Sequence, residues 1–325
     1  MKRAACLLAF SLLSDMAFGA EGVLLPRPIP SFGPANADAP HSGAMLFEAG
    51  FSLTSGAETF GGISAFRYFD EGRSIIGVTD EGNWFFARVE RDALGRPTRL
   101  SDLAMQPLLD LKGRPFTHKR DADSEGMTII GDEVWVSFER RARVLRYKFQ
   151  PRRMGFALGE VDFIIPPHDL RKNRGMEALT LAPVNSGFGA HPVVISERSL
   201  DASGSIFAAI LRGPRKGVFK IKRTNEFDIT DAAFLPDGRL LVLERRFSMI
   251  GGVAMRMRRL DLSKAQNAPY DGEILLEANM NKSIDNMEAL DVFKRADGKI
   301  VVGVMSDDNF SFFQRNLYLE FTLGN

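Results

Sequence analysis

Residues 123–147, DSEGMTIIGDEVWVSFERRARVLRY, carry one complete unit of a pattern that the rest of the chain repeats. An acidic residue followed by glycine, Glu125-Gly126, opens a short apolar run, Met127 to Ile130, and Gly131-Asp132 supplies a turn. A second run, Val134 to Phe138, ends on Glu139-Arg140, and a third follows from Val144. Runs of this length rich in Val, Ile, Phe and Trp, separated by Gly/Asp turns, are strand and hairpin signals. The runs are apolar at nearly every position, so both faces of each sheet must be covered by neighbours.

The pattern occurs five times, with openings at Gly61, Glu125, Glu177, Asp231 and Glu288, 52 to 64 residues apart. After each opening come an apolar run, a turn, a second run and a third: ISAF with SIIGVTD and WFFARVE, EALTLAP with HPVVISER and SIFAAIL, DAAFLP with RLLVLER and AMRMRRL, EALDVF with KIVVGVMSD and NLYLEFTL. Four units add a fourth run, whereas the last stops after its third strand. Residues 43–54, GAMLFEAGFSLT, form a strand-like run ahead of the first opening that lacks a partner of its own. Placed as the outer strand of the last unit it closes a ring and removes a bare edge. The expected fold is an all-β propeller of five four-stranded blades closed by this N-terminal strand; a sixth, weakly marked blade is the alternative count.

The N-terminus, Lys2-Arg3 followed by AACLLAFSLL and AFGA, has the basic, apolar and small-residue parts of a secretory signal. The expected organisation is a signal peptide at 1–20, a Pro-rich leader at 21–42 and one propeller domain at 43–325. The chain is thus expected to be exported, periplasmic or secreted, with no membrane insertion after cleavage. Cys6 is the only cysteine and falls inside the signal, which removes disulfides, thiolate metal sites and a cysteine nucleophile from the mature protein. The formal charge of +1 gives no support to nucleic-acid binding. With 45% hydrophobic residues there is enough to build one sizeable core.

In a propeller the innermost strand begins, and the second strand ends, at the same mouth of the central channel. Glu125, Glu177, Asp231 and Glu288 open inner strands, while Asp80, Glu139, Glu197, Glu244 and Asp307 end second strands. Nine carboxylates are therefore expected on one rim. Carboxylates so crowded need compensation, because like charges raise one another's pKa. Arg140, Arg198 and Arg245 directly follow three of the acids and can bridge carboxylates. The second remedy is a hard cation held by oxygen donors, for which Ca²⁺ is the candidate, with Glu125, Glu139, Glu177, Glu197, Asp231, Glu244, Glu288 and Asp307 as candidate ligands. The four histidines are scattered and no thiol remains, which disfavours zinc.

Loops rich in Lys and Arg lead into the openings: HKRDAD before Glu125 and HDLRKNRG before Met176. Lys119, Arg120 and Arg174, with Arg140, Arg198 and Arg245, are candidate receptors for a small anionic molecule or phosphate ester beside the cation. Glu125 or Glu177 would orient a water. A Ser-His-Asp esterase is disfavoured because no G-x-S-x-G elbow occurs.

The ordered motifs GGISAF, DSEGM, FER, NRGMEALTL, ISER, LPDGRLLVLER and NMEAL resemble the phytase-like family labelled "esterase-like activity of phytase", over roughly residues 45–323. The resemblance implies an exported bacterial propeller hydrolysing a phosphoric or related ester, with Glu125, Glu177, Glu288 and the Glu-Arg pairs as recurring rim residues. Two rivals stand beside it. One is a non-catalytic periplasmic ligand-binding or protein-interaction propeller whose acids latch blades together; the weaker is a lactonase-like or sugar-oxidising propeller.

Overall fold

The computed structural model describes residues 21–33, 44–166, 170, 175–249, 251–263 and 267–324. Residues 34–42 of the leader, the whole expected signal peptide, and Arg174 lie outside these described residues. Nearly all regular structure is β, in five antiparallel sheets that follow the expected repeat.

Inside to outside, blade 1 runs Ile63–Phe69, Ser74–Thr79, Asn83–Arg91 and Pro97–Pro107, and blade 2 runs Ser124–Ile130, Glu133–Phe138, Arg143–Lys148 and Gly159–Val161. Blade 3 is Met176–Leu181, Pro192–Leu200, Ile206–Ile210 and Gly217–Ile221. Blade 4 is Asp228–Phe234, Leu240–Ser248, Gly252–Leu260 and Gly272–Asn279. Blade 5 is made of Asn286–Lys294, Ile300–Asp307 and Asn316–Leu323, and its fourth strand is the N-terminal Met45–Ser55, paired in register with Asn316–Leu323. The closing strand thus sits where the unpartnered run at 43–54 places it, and the count of five is settled.

Part of the leader is ordered as well. Leu24–Ile29 adds a fifth strand outside Met45–Ser55, and Glu21–Gly22 a fifth outside Pro97–Pro107. Pro26 and Pro28 are compatible with the former because it is an edge, where a missing N–H leaves no ladder bond unmade.

Each pair of neighbouring blades shares one buried hydrophobic cluster, so the core is a ring of five interfaces. Trp84 of blade 1 meets Tyr147 of blade 2 edge to face at 5.1 Å, and Trp135 packs toward Met176 and Leu179 of blade 3. This is why the strands read as continuously apolar: both faces of every sheet are interior. The inner strands of consecutive blades touch around the whole ring, including blade 5 on blade 1. At Gly126 the approach of blades 2 and 3 is so close that a Cβ would stand 2.4 Å from the carbonyl oxygen of Glu177, which explains the glycine.

Candidate functional site: an acidic channel mouth

Every inner strand carries a β-bulge near its start, after the first pairing in blades 1, 2 and 3 and after the second in blades 4 and 5. The register skips Ser64 in blade 1, the Glu125-Gly126 step in blade 2, Glu177 in blade 3, Thr230 in blade 4 and Glu288 in blade 5. Bulges re-aim side chains and gather near functional sites. Here they give five equivalent positions at one end of the channel, occupied by Ser, Glu, Glu, Thr and Glu. The residues that follow the matching pairs on the second strands are Asp80, Glu139, Glu197, Arg245 and Asp307.

This register corrects the expectation in blade 4. Asp231 and Glu244 are each one residue out of step, and the equivalent rim positions belong to Thr230 and Arg245. Asp231 instead lies lower in the channel, where Arg67 of blade 1 crosses to meet it. Arg67 donates Nη1 to Asp231 Oδ2 at 2.9 Å and Nη2 to Oδ1 at 3.0 Å, and also donates to the carbonyls of Leu179 and Leu290, both at 2.8 Å. One guanidinium thereby ties blades 1, 3, 4 and 5 together and fills the channel below the rim. Glu244 is fully buried inside blade 4 and accepts from Arg256 Nε at 2.6 Å and Arg258 Nη2 at 2.6 Å. Neither acid is free to take a metal, because each is already neutralised by arginine.

Of the nine acids expected, seven do share the mouth: Asp80, Glu125, Glu139, Glu177, Glu197, Glu288 and Asp307. They repel one another across it. Burial, then Asp123, Glu139, Asp80 and Glu288, push the Glu125 carboxyl well above the usual range. Burial, then Glu125, Glu197, Glu139 and Glu288, do the same to Glu177. Glu139 rises to about 7, chiefly by burial, although the Gly175 N–H that donates to its Oε1 at 2.9 Å pulls the other way. Glu288 rises to about 7 and Asp307 to about 8, again chiefly by burial. Glu139 and Glu177 are close enough to share a proton. Glu125 and Glu177 are only half-buried, so both still reach the water of the mouth.

Compensation by cations is partial. Lys119 stands on a single helical turn, Lys119–Ala122, and its Nζ meets Asp80, Glu81 at 3.1 Å and Asp123 at 3.3 Å. Arg140 Nε pairs with Asp123 at 3.0 Å, and Arg245 bridges Glu197 at 3.4 Å and Glu288 at 3.3 Å. Arg198 approaches Asp228 at 3.8 Å, an acid that Arg223 holds more closely at 2.6 Å, and Arg120 is exposed on its turn. Of the six cations expected here, the structure turns Lys119, Arg140 and Arg245 onto acids of the mouth.

Two groups of three acids bring one oxygen each to within 4.8 Å of one another: Asp123, Glu125 and Glu139, and then Glu139, Glu177 and Glu197. Glu139 belongs to both. Neither contains a histidine or cysteine, and an all-carboxylate set is the donor chemistry of a hard cation of the Ca²⁺ or Mg²⁺ kind. One oxygen at this mouth, Asp80 Oδ1, is buried without a hydrogen-bond partner. It faces Gly62, whose φ of +62° and lack of a Cβ make room for it. The residues present therefore fit a divalent cation.

What the sequence missed is Thr230 and Arg67. Thr230 was legible in the triplet Ile-Thr-Asp, which aligns with Met-Glu-Ala at 176 and 287 once the residue before the bulge is used as the guide.

A five-bladed propeller with an acidic mouth defines the class of protein. The chain belongs to the phytase-like family, described as esterase-like activity of phytase, whose model matches residues 58–310. No curated protein matches its sequence. Among solved structures, an endo-arabinase from Bacteroides thetaiotaomicron is similar at 11% identity and a TM-score of 0.51, covering 82% of this chain and 94% of that one. An α-L-arabinofuranosidase from Lactobacillus brevis is similar at 10% identity and a TM-score of 0.48, covering 81% and 92%. The likeness to the endo-arabinase shows the fold alone. No helix among the described residues is long and apolar enough to cross a membrane.

Proposed function

We propose that this protein is an exported propeller that binds a divalent cation, Ca²⁺ foremost, at its acidic mouth and hydrolyses a small anionic ester there, a phosphate ester in the first instance. The observation that carries the reading is the pair of three-carboxylate groups sharing Glu139, in a mouth whose acids outnumber the cations turned toward them. Asp123, Glu125, Glu139, Glu177 and Glu197 would hold the cation. Bound there, it would supply charge stabilisation to an ester oxygen as negative charge grows on it.

The chain's own residues account for the remaining tasks. Glu125 and Glu177 reach solvent, and burial with the neighbouring acids raises the proton affinity of both carboxyls; ionised beside a bound cation, either would be basic enough to orient a water and take its proton. Lys119 and Arg140, now turned onto acids, become available to an anion once a cation takes over those carboxylates. Arg67 with Asp231 fills the channel beneath, so a ligand enters from the acidic side only.

One observation favours a second reading. Arg245 ties Glu197 of blade 3 to Glu288 of blade 5, as a structural latch would. In that case the protein is a non-catalytic binding propeller. The melting temperature of the purified protein with EDTA and with Ca²⁺, followed by phosphate release from a generic phosphomonoester, separates the two. The hydrolase reading expects a calcium-dependent rise and release that Glu125→Gln and Glu177→Gln abolish without loss of the fold. Absence of both the rise and the release would leave the latch.

A further inference from the structure

Five arginines are buried among the described residues: Arg67, Arg143, Arg256, Arg258 and Arg295. Four of them stand on carboxylates, namely Asp231, Glu244 for both Arg256 and Arg258, and Asp297. Arg143, only 5% exposed, has no carboxylate within ion-pair reach. Its Nη1 donates to the carbonyl of Arg141 at 2.9 Å and its Nη2 to the carbonyl of Asp121. Its guanidinium carbon lies over the Phe138 ring, 3.9 Å from the centroid, and over the Phe116 ring at 5.3 Å. The carboxylate of Asp121 is turned to Arg141 instead, at 3.4 Å. A buried cation with no carboxylate in contact is costly, and burial lowers this guanidinium to about 10 although Asp121 and Glu160 act in the opposite sense without touching it.

Arg143 also lines a cavity of about 490 Å³, formed between the connection from blade 1 to blade 2 and the third and fourth strands of blade 2. Arg141 and Lys112 stand at the cavity beside it, and Leu111, Phe116 and Leu145 give it an apolar wall. Of its three acids, Arg114 holds Asp110 at 2.9 Å and Arg141 faces Asp121, which leaves Glu160 on the wall with Lys112 and Arg143 and a balance of one positive charge. The cavity lies outside the ring of rim acids and shares none of the seven.

We propose that this cavity binds an organic anion: a carboxylate or phosphate head received by the free edge of the Arg143 guanidinium, on a flat apolar body laid against Phe116 and Leu111. The ligand supplies the contacting anion that Arg143 lacks. The ring faces of Phe138 and Phe116 hold the guanidinium in place, so its edge is pre-set for two parallel hydrogen bonds.

The test is titration calorimetry of the full mature protein with phenylphosphonate, which cannot be hydrolysed, in EDTA so that no cation occupies the rim. Saturable one-to-one binding is expected, at least about tenfold weaker in Arg143→Met, since a charge-assisted hydrogen-bond pair is lost. Methylphosphonate, which lacks the apolar body, and phenol, which lacks the anion, should each bind about tenfold or more weaker than the parent probe. Phe116→Ala, at the cavity wall, provides a second variant should Arg143→Met fail to fold, with the same loss expected. The doubly substituted Glu125→Gln/Glu177→Gln protein should bind the probe as the wild type does, whatever becomes of the rim. Absence of saturation, or affinity unchanged in Arg143→Met and Phe116→Ala, overturns the proposal. So does loss of binding in the rim variant, which would move the site to the channel mouth.

Discussion

Glu177 opens the inner strand of blade 3 and Glu244 ends the second strand of blade 4, both rim positions by the sequence repeat, yet Glu244 is part of the framework and Glu177 faces the channel mouth. Glu244 is fully buried against two arginines of its own blade, Arg256 and Arg258. Glu177 is half-buried among other acids, and burial with their repulsion raises its proton affinity. A single step of register separates the two environments, because the position equivalent to Glu177 in blade 4 is Thr230 and the one equivalent to Glu197 is Arg245. What decides whether an acid is structural is therefore whether its charge is met inside the protein, and position in a repeat is a guide only when the bulge is counted.

The largest expected effect comes from breaking the compensated set. Glu244→Ala leaves Arg256 and Arg258 buried and facing no glutamate, and should cost on the order of 3–5 kcal/mol in urea unfolding. The matching change at the mouth, Glu177→Gln, removes a carboxyl that its neighbours disfavour, and metal-free stability should stay within about 1 kcal/mol of wild type or rise. Equal losses in the two variants would mean that the mouth is framework as well.

That contrast also marks how far the sequence could be read. Blade number, strand order and the closing strand were legible because Gly/Asp turns punctuate apolar runs at a regular interval, and because 43–54 had nowhere else to pair. Seven of the nine rim acids were legible for the same reason. Asp231 was misplaced because Asp-Ala at 231 imitates Glu-Ala at 177 and 288, and a bulge leaves no mark in a hydrophobic pattern. Arg67 was illegible for another reason: its partners lie in three other blades, so nothing near it in the chain signals that it is buried. The leader's strand was hidden by its prolines, which are compatible with an edge and with an irregular segment alike.

A smaller effect should follow from pH. Unfolded Glu and Asp titrate near 4.5 and 3.8, whereas folded Glu139 and Glu288 do so at about 7 and Asp307 at about 8. The folded state thus binds these protons more tightly, and their contribution to stability is complete at acid pH and lost as pH rises through 7 and 8. The melting temperature of the metal-free protein should accordingly fall between about pH 5 and about pH 8.5, and Ca²⁺ should flatten the profile by replacing the protons. A rise in stability over the same window would break the distinction between the two regions.

The smallest change sharpens it most. Arg245 occupies the one rim position in blade 4 where the other blades carry an acid, and its charge holds Glu288 lower than that carboxyl would otherwise stand. Arg245→Gln should shift the alkaline fall in melting temperature upward in pH and tighten Ca²⁺ binding, within about tenfold because the mouth is open to water. If Arg245 is a latch, the same substitution instead destabilises the protein at every pH and leaves calcium binding where it was. Calorimetric calcium titration of wild type and Arg245→Gln, read beside their melting profiles, distinguishes a cation that tempers a binding site from one that joins two blades.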